Sequence, residues 1–448
     1  MQEIDLALST LETILDAKVP FSEALRRRFQ SDFAVRPLRK NVAALVGCEL
    51  RHHLMFSYLL KDSVKDEKDA RLLSLALANH YFFRRFQEED VVKHLKENVS
   101  EENVNVYLEM VERIKRPEDL LPANMNHASN LYLSLRYNTP EWALKIFQHF
   151  GYGLTYKILR SYARQRQNIV RLVPGKISME ELCKDGDFAP NALFPEEMAD
   201  HIGKTAMAKL ASYRAGDIFG LKPFAHRVLK EHRVEAPGQI LLYNGNENLG
   251  LEKDLLSIYG KNLGLNLAVP DTGARPEVTR MIRNSDLKNV NFFSAPNGDG
   301  FASAVSCKQD LVILAPKSTN FDDIPTTPDY LLRFDRESMD GLLKGEEELL
   351  ENAAAQVEVG GTLIYMVFTI SRKEGSKMIG EFLSRHEEFT KVEAKQHFPF
   401  EEDSCFSGVY YAEFRKEHEP LKIPTPLLVK QMGETRTRSY SAKQGEAA

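Results

Sequence analysis

The sequence predicts a multidomain protein: an all-α front end, a small α+β segment and an α/β domain with a largely parallel sheet. Two observations carry this. From Gly238 onward, short apolar runs rich in β-branched residues alternate with stretches of helical periodicity, the pattern of strand, crossover helix, strand. Residues 1 to about 120 show only helical periodicity. A chain of 448 residues also exceeds one core and fits two to four domains.

The front end opens with Ile4, Leu6, Leu8, Leu11, Ile14 and Leu15, an apolar stripe, and a second helix starts at Phe21 after Pro20. Arg39 to Leu60 and Ala70 to Phe86 continue the pattern. Between Phe21 and Lys61 stand eight Lys or Arg against three Asp or Glu. Arg26, Arg27, Arg28, Arg39, Lys40 and Arg51 are candidate phosphate contacts by counterion release; a solvated helix face would leave the same pattern. Arg51-His52-His53 invites a metal reading, but neighbouring residues point to different sides of a helix. Arg116 to Asn124 is rich in breakers. Beyond it, Thr139-Pro140 is a helix start, Trp142 a core anchor, and Ser178-Met-Glu-Glu a capping box, all within a mixed segment at 131–232.

In the last domain, Gln239 to Tyr243 is the first strand and Leu265 to Asp271 carries the second. Asp310-Leu-Val-Ile-Leu-Ala and Val359 to Ile370 are the next two, around a helix at Met339 to Glu358. Ligands in such sheets sit beyond the carboxyl ends of the strands. The formal charge of −5 neither favours nor excludes RNA. Cys48, Cys183, Cys307 and Cys405 have no metal or disulfide spacing and read as reduced thiols. The first residues lack the order of a signal peptide, and no run approaches membrane-spanning length, so the expectation is a cytoplasmic protein with no membrane partner. Residues 417–448 are polar, Pro-containing and mildly basic, and read as a disordered tail.

Asp310-x-x-x-x-Ala-Pro-x-Ser318, Pro328-Asp329, Leu350-Glu-Asn-Ala-Ala-Ala355 and Gly360-Gly-Thr-Leu-Ile-Tyr365 together resemble the Sun/Fmu (RsmB-type) ribosomal RNA cytosine-5 methyltransferases. The likeness implies a NusB-like RNA-binding domain at 1–130, a linker subdomain at 131–232 and a Rossmann-like methyltransferase domain at 233–416. It implies S-adenosylmethionine at Asn244, Gly245, Asn246, Glu247, Gly250 and Asp271, and RNA, ribosomal RNA in particular, as partner, with ribosome-assembly proteins alongside.

The chemical positions depart from the family. Its first loop reads Asp-Ala-Pro-Cys-Ser-Gly and its second Ser-Thr-Cys-Ser; here Leu314-Ala-Pro-Lys317-Ser-Thr and Met366-Val-Phe368-Thr stand there. Phe368 occupies the nucleophile position and Lys317 the release-cysteine position, where it would meet a base or phosphate. Leu242, Leu314, and Ser294 or Ala295 replace acids expected around cofactor and base, and Leu221-Lys222 replaces a Gln-Asp pair. Cytosine C5 methylation needs a soft, partly ionised nucleophile, which phenylalanine cannot supply. The expectation is therefore no catalytic residue: an RNA-binding pseudoenzyme relative of the 16S rRNA methyltransferases, with Phe368 filling the vacated site. The alternatives are an active S-adenosylmethionine-dependent rRNA methyltransferase, acting on oxygen or nitrogen, and a protein-interaction subunit in ribosome assembly.

Overall fold

A computed structural model describes residues 1–420 except 31, 165, 237, 247–249, 260–262, 285–286, 335 and 404. The helical front end is built from Gln2–Leu15, Phe21–Gln30, Arg39–Leu60, Glu67–Ala78, Glu88–Asn98 and Glu101–Arg113. Their apolar faces meet in one core that includes Leu11, Val42, Leu45, Phe56, Leu73, Leu77 and Tyr107. The helix expected from Ala70 to Phe86 starts earlier and ends sooner. Asp66 caps it by accepting the Asp69 amide, and a π-helical turn, Asn79–Phe83, follows.

At the junction, one side chain grips the longest front-end helix, while the Phe21 amide donates to Asp329 at 3.0 Å and Leu332 packs on the helical core. Asn138, in left-handed conformation (φ 47°), donates from Nδ2 to the Leu50 carbonyl at 2.7 Å and accepts the Leu54 amide on Oδ1 at 3.0 Å. The amide thus spans one rung of helix Arg39–Leu60. Pro140 stands one place earlier than expected, as the N-cap of helix Glu141–Gln148. Trp142 is half-buried between domains, with its ring 5.5 Å from that of Phe334 and 6.2 Å from that of Phe321.

A small antiparallel sheet follows: β1 (Asn168–Leu172), β2 (Phe188–Pro190), β3 (Met198–His201) and β4 (Ile218–Gly220), in the order β2-β3-β1-β4. The Ser178 hydroxyl caps the helix at Met179–Cys183, as its sequence predicts. Arg171 of β1 reaches Asp254 at 3.1 Å, and His226 lies between Asp254 and Glu197 at 2.7 and 2.9 Å, which pins this sheet to the last domain.

The last domain carries β5 (Gln239–Asn244), β6 (Gly264–Val269), β7 (Val290–Ser294), β8 (Gln309–Ala315), β9 (Val357–Val367), β10 (Phe389–His397) and β11 (Val409–Lys416). Their order is β10-β11-β9-β8-β5-β6-β7. Pairings from β7 through β9 are parallel, while β11 runs antiparallel between β9 and β10. The apolar runs of β5 and β8 are buried on both faces, which is why they lack alternation. The chain reverses direction across the sheet between β5 and β8, so the crevice for a ligand falls beyond Asn244 and Ala315. Among the described residues no helix is long and apolar enough to cross a membrane. The segment read as a disordered tail lies, from residue 421 on, outside the described residues.

Candidate functional site

Gly245 and Asn246, just after β5, bond across that crevice. The Gly245 amide donates to the Ala315 carbonyl at 2.8 Å. A Cβ on Gly245 would stand 2.3 Å from the Lys317 backbone nitrogen, so only glycine allows the two loops to touch. Buried Asn246 donates to the carbonyls of Pro316 at 2.6 Å and Ala315 at 3.1 Å. Its Oδ1 accepts from Asn320 at 2.7 Å and its carbonyl from Arg275 at 2.9 Å. Arg275 Nε also lies 3.4 Å from Glu252, whose other oxygen accepts from Asn244 at 2.9 Å. Burial holds the Glu252 carboxyl above its ordinary range against the pull of Arg275.

Of the residues expected to cradle a cofactor, Asn244, Gly245 and Asn246 come together. Gly250 (φ 63°) lies elsewhere, where a Cβ would meet the Gly220 carbonyl at 2.3 Å. Exposed Asp271 caps a short turn by accepting the Gly273 amide at 2.8 Å. Glu247 lies outside the described residues. Among the described residues of this loop, the side-chain amides of Asn244 and Asn246 are bonded to protein.

At the position of the family nucleophile, Phe368 is fully buried. Lys222 Nζ stands 4.7 Å from its ring centroid, and Phe224 meets it edge-on at 6.4 Å. The same ammonium is 2.8 Å from Asp322 and 2.9 Å from Asp323. Asp322, 4% exposed, also receives Arg166 at 2.7 Å and the Gly408 amide at 2.9 Å. Burial alone would raise the Asp322 carboxyl, but Lys222 and Arg166 hold it below its ordinary value; burial would lower Lys222, but the two aspartates hold it up. Phe368 is thus sealed from solvent, with the Lys222 ammonium over its ring.

No described thiol takes over. Cys405 belongs to the same apolar cluster as Phe368, and burial pushes it up to about 11, so it stays protonated. Exposed Cys307 precedes β8, at the far end of the sheet. Leu314 is buried in the core and Lys317 is exposed. Beside this cluster two buried carboxyls, Glu374 and Glu346, meet. Glu374 accepts the Thr319 amide at 2.6 Å and the Thr319 hydroxyl at 2.7 Å. Burial raises both; Glu374 raises Glu346 further, while Glu346 pulls Glu374 back down. Sequence reasoning noted Lys222 as a departure but had no signal for its partner 100 residues away.

On the front end, Arg26, Arg27, Arg28, Arg39, Lys40 and Arg51 are all exposed. Glu23 engages two of them, Arg26 at 2.6 Å and Arg27 at 2.7 Å. Arg51 Nη1 donates to the Gly47 carbonyl of its own helix at 2.9 Å. His52 stacks on Phe82 at 3.8 Å while His53 pairs with Glu49 at 2.7 Å, so the neighbouring histidines part.

The doubly wound sheet with an antiparallel strand near one edge defines the class: a Rossmann-like fold of the methyltransferase type. The solved protein PH0851 shares it, with a TM-score of 0.66 at 16% identity over 93% of this chain and 98% of that one. NSun6 from Pyrococcus horikoshii, solved with SFG, gives 0.52 at 12% identity over 62% of this chain and 99% of that one. A methyltransferase homologue protein from the same organism gives 0.50 at 14% identity, over 64% and 98%. No family model matches the chain. In sequence it is 29% identical over 114 residues to ribosomal RNA small subunit methyltransferase B of Thermus thermophilus, which is 23% of this chain and 29% of that protein. The match thus spans less than a third of that relative. Over that stretch the chain is similar to ribosomal RNA small subunit methyltransferase B, and over nearly its whole length it shares the fold of PH0851.

Proposed function

We propose that this chain is an RNA-binding relative of the ribosomal RNA cytosine-5 methyltransferases that has no cytosine-5 transfer activity of its own. The observation carrying the reading is the Phe368 position. Where the family chemistry needs a thiolate to add to C6 of the base, a fully buried ring lies beneath the Lys222 ammonium, and Asp322 holds that ammonium in place. In this reading the ion cluster stands in the way of a flipped base. In this reading the helical front end is the NusB-like domain. Arg28, Arg39 and Lys40, with Arg26, Arg27 and Arg51 beside them, meet RNA phosphates, in ribosomal RNA or an assembly intermediate.

The test pairs two measurements on one preparation. Radiolabelled methyl transfer to 16S rRNA is assayed next to a family member with intact cysteines, and binding to the same RNA is followed across salt concentrations. RNA binding with a negative salt slope and no label in cytosine supports the reading. Label at cytosine C5, or no RNA binding at low salt, would sink it.

A further inference from the structure

Strands β10 and β11 form a hairpin closed by the register pair His397 and Val409. The loop between them carries Glu401 and Asp403, and it delivers the Gly408 amide to Asp322. His397 is 4% exposed, its ring packs 5.2 Å from Phe224, and its Nδ1 has no hydrogen-bond partner. That orphaned nitrogen lies 3.7 Å from Asp403 Oδ2. One donor atom each from His397, Glu401 and Asp403 lie within 4.8 Å of one another. Donors bound to one ion at about 2.0–2.1 Å in tetrahedral geometry sit about 3.4 Å apart, so small rotations of two loop side chains bring the three into coordination distance.

We propose that His397, Glu401 and Asp403 bind a divalent transition-metal ion of the Zn2+ class that staples the loop at 398–408. The donor set selects the ion: an imidazole nitrogen with two carboxylates suits Zn2+ or its neighbours, whereas Mg2+ and Ca2+ take all-oxygen shells and Cu(I) takes sulfur. Glu401 is already oriented, since it accepts the Phe398 amide at 2.9 Å. The competing arrangement has Lys395, whose ammonium lies 2.6 Å from Asp403. It neutralises the carboxylate but leaves the His397 nitrogen unbonded, whereas a metal ion meets all three groups. Lys395 and Asp403 are about half exposed, so replacing either leaves the core intact.

The test titrates ZnCl2 by calorimetry into tag-free, full-length protein stripped with a chelator, next to Asp403→Asn and Lys395→Met. The expected result is one Zn2+ per chain, weakened at least about tenfold by D403N and tightened by K395M, which removes the competing cation. Co2+ added to the stripped protein reports the donors by its absorption. Affinity unchanged in D403N, no heat up to about 1 mM Zn2+, or a thiolate charge-transfer band placing the ion on a cysteine would each overturn the assignment.

Discussion

Lys222 and Asp322 are the pair whose disruption tests whether the nucleophile position is a built structure. Asp322 is 4% exposed and has three partners within 2.9 Å: Arg166, Lys222 and the Gly408 amide. Removing one partner of a buried ion pair costs about 3–5 kcal/mol, because the other charge is left without compensation. Lys222 and Asp323 keep side-chain exposures of 17% and 18%, which places Lys222→Met near the lower end, about 3 kcal/mol. Asp322→Asn strands both Arg166 and part of Lys222 and costs a similar amount. With both charges gone, Arg166, a quarter exposed, can turn to water, so the double variant falls short of additivity by about 1–3 kcal/mol. Urea unfolding followed through Trp142, the single tryptophan, reads this region, because its ring packs on Phe321, the residue before Asp322. Midpoints should move with the slope unchanged. Costs that add to within about 0.5 kcal/mol would refute the coupling and with it the reading of the cluster as a single unit.

The same pair sets a pH window. Asp322 is held below its unfolded value, so its contribution is present above the ordinary carboxylate range and fades as pH falls through the folded value. Lys222 is held above its unfolded value, so its contribution is full below the ordinary lysine range and fades as pH rises through the folded value. The pair's own contribution to stability should thus be flat between those ranges, and the double variant should lose part of both limbs. Glu346→Gln is expected to stabilise the protein at pH 7, since burial beside Glu374 raises the carboxyl and makes its ionisation costly; the gain should shrink as pH falls toward the ordinary glutamate range. Gly245→Ala, with no room beside Lys317, should destabilise by about 1–3 kcal/mol in the same urea assay. Phe368→Cys should give no methyl transfer to 16S rRNA, because Lys222 and the Asp322 cluster still occupy the site. Arg28→Gln and Lys40→Gln should each reduce the salt slope of RNA binding by about one.

Where local pattern decides structure, the sequence was readable. The apolar runs Ile240–Tyr243 and Leu311–Ala315 sit in central parallel strands, and helix Arg39–Leu60 has the bounds its periodicity suggests. Errors came where one residue settles an end: Asp66 starts a helix that apolar periodicity places later, and Pro140 caps from just outside a helix instead of opening it. Tertiary choices left no local trace. Nothing in Val409–Lys416 says that it runs antiparallel between β9 and β10. The family comparison could show that Phe368, Leu314 and Lys222 are unusual; it could not show that Lys222 lies over Phe368 and is held by Asp322, because that depends on a pairing across 100 residues. Lys317, exposed at the loop tip, and Phe368, sealed beneath the cluster, began as parallel departures and ended in opposite environments.

Asn138 bears on how the protein can be dissected. Its amide supplies a donor to Leu50 and an acceptor to Leu54, so the longest front-end helix is completed by a group that lies beyond the six front-end helices, between helices Asn130–Arg136 and Glu141–Gln148. A fragment stopped at residue 130 must close that rung on itself and will bend differently there, since an inserted side chain alters helix curvature. A fragment carried past Asn138 keeps the native helix. Any swing of the front end away from Asn138 likewise has to break both bonds at once, and a swing away from the last domain must also release the Phe21 amide from Asp329.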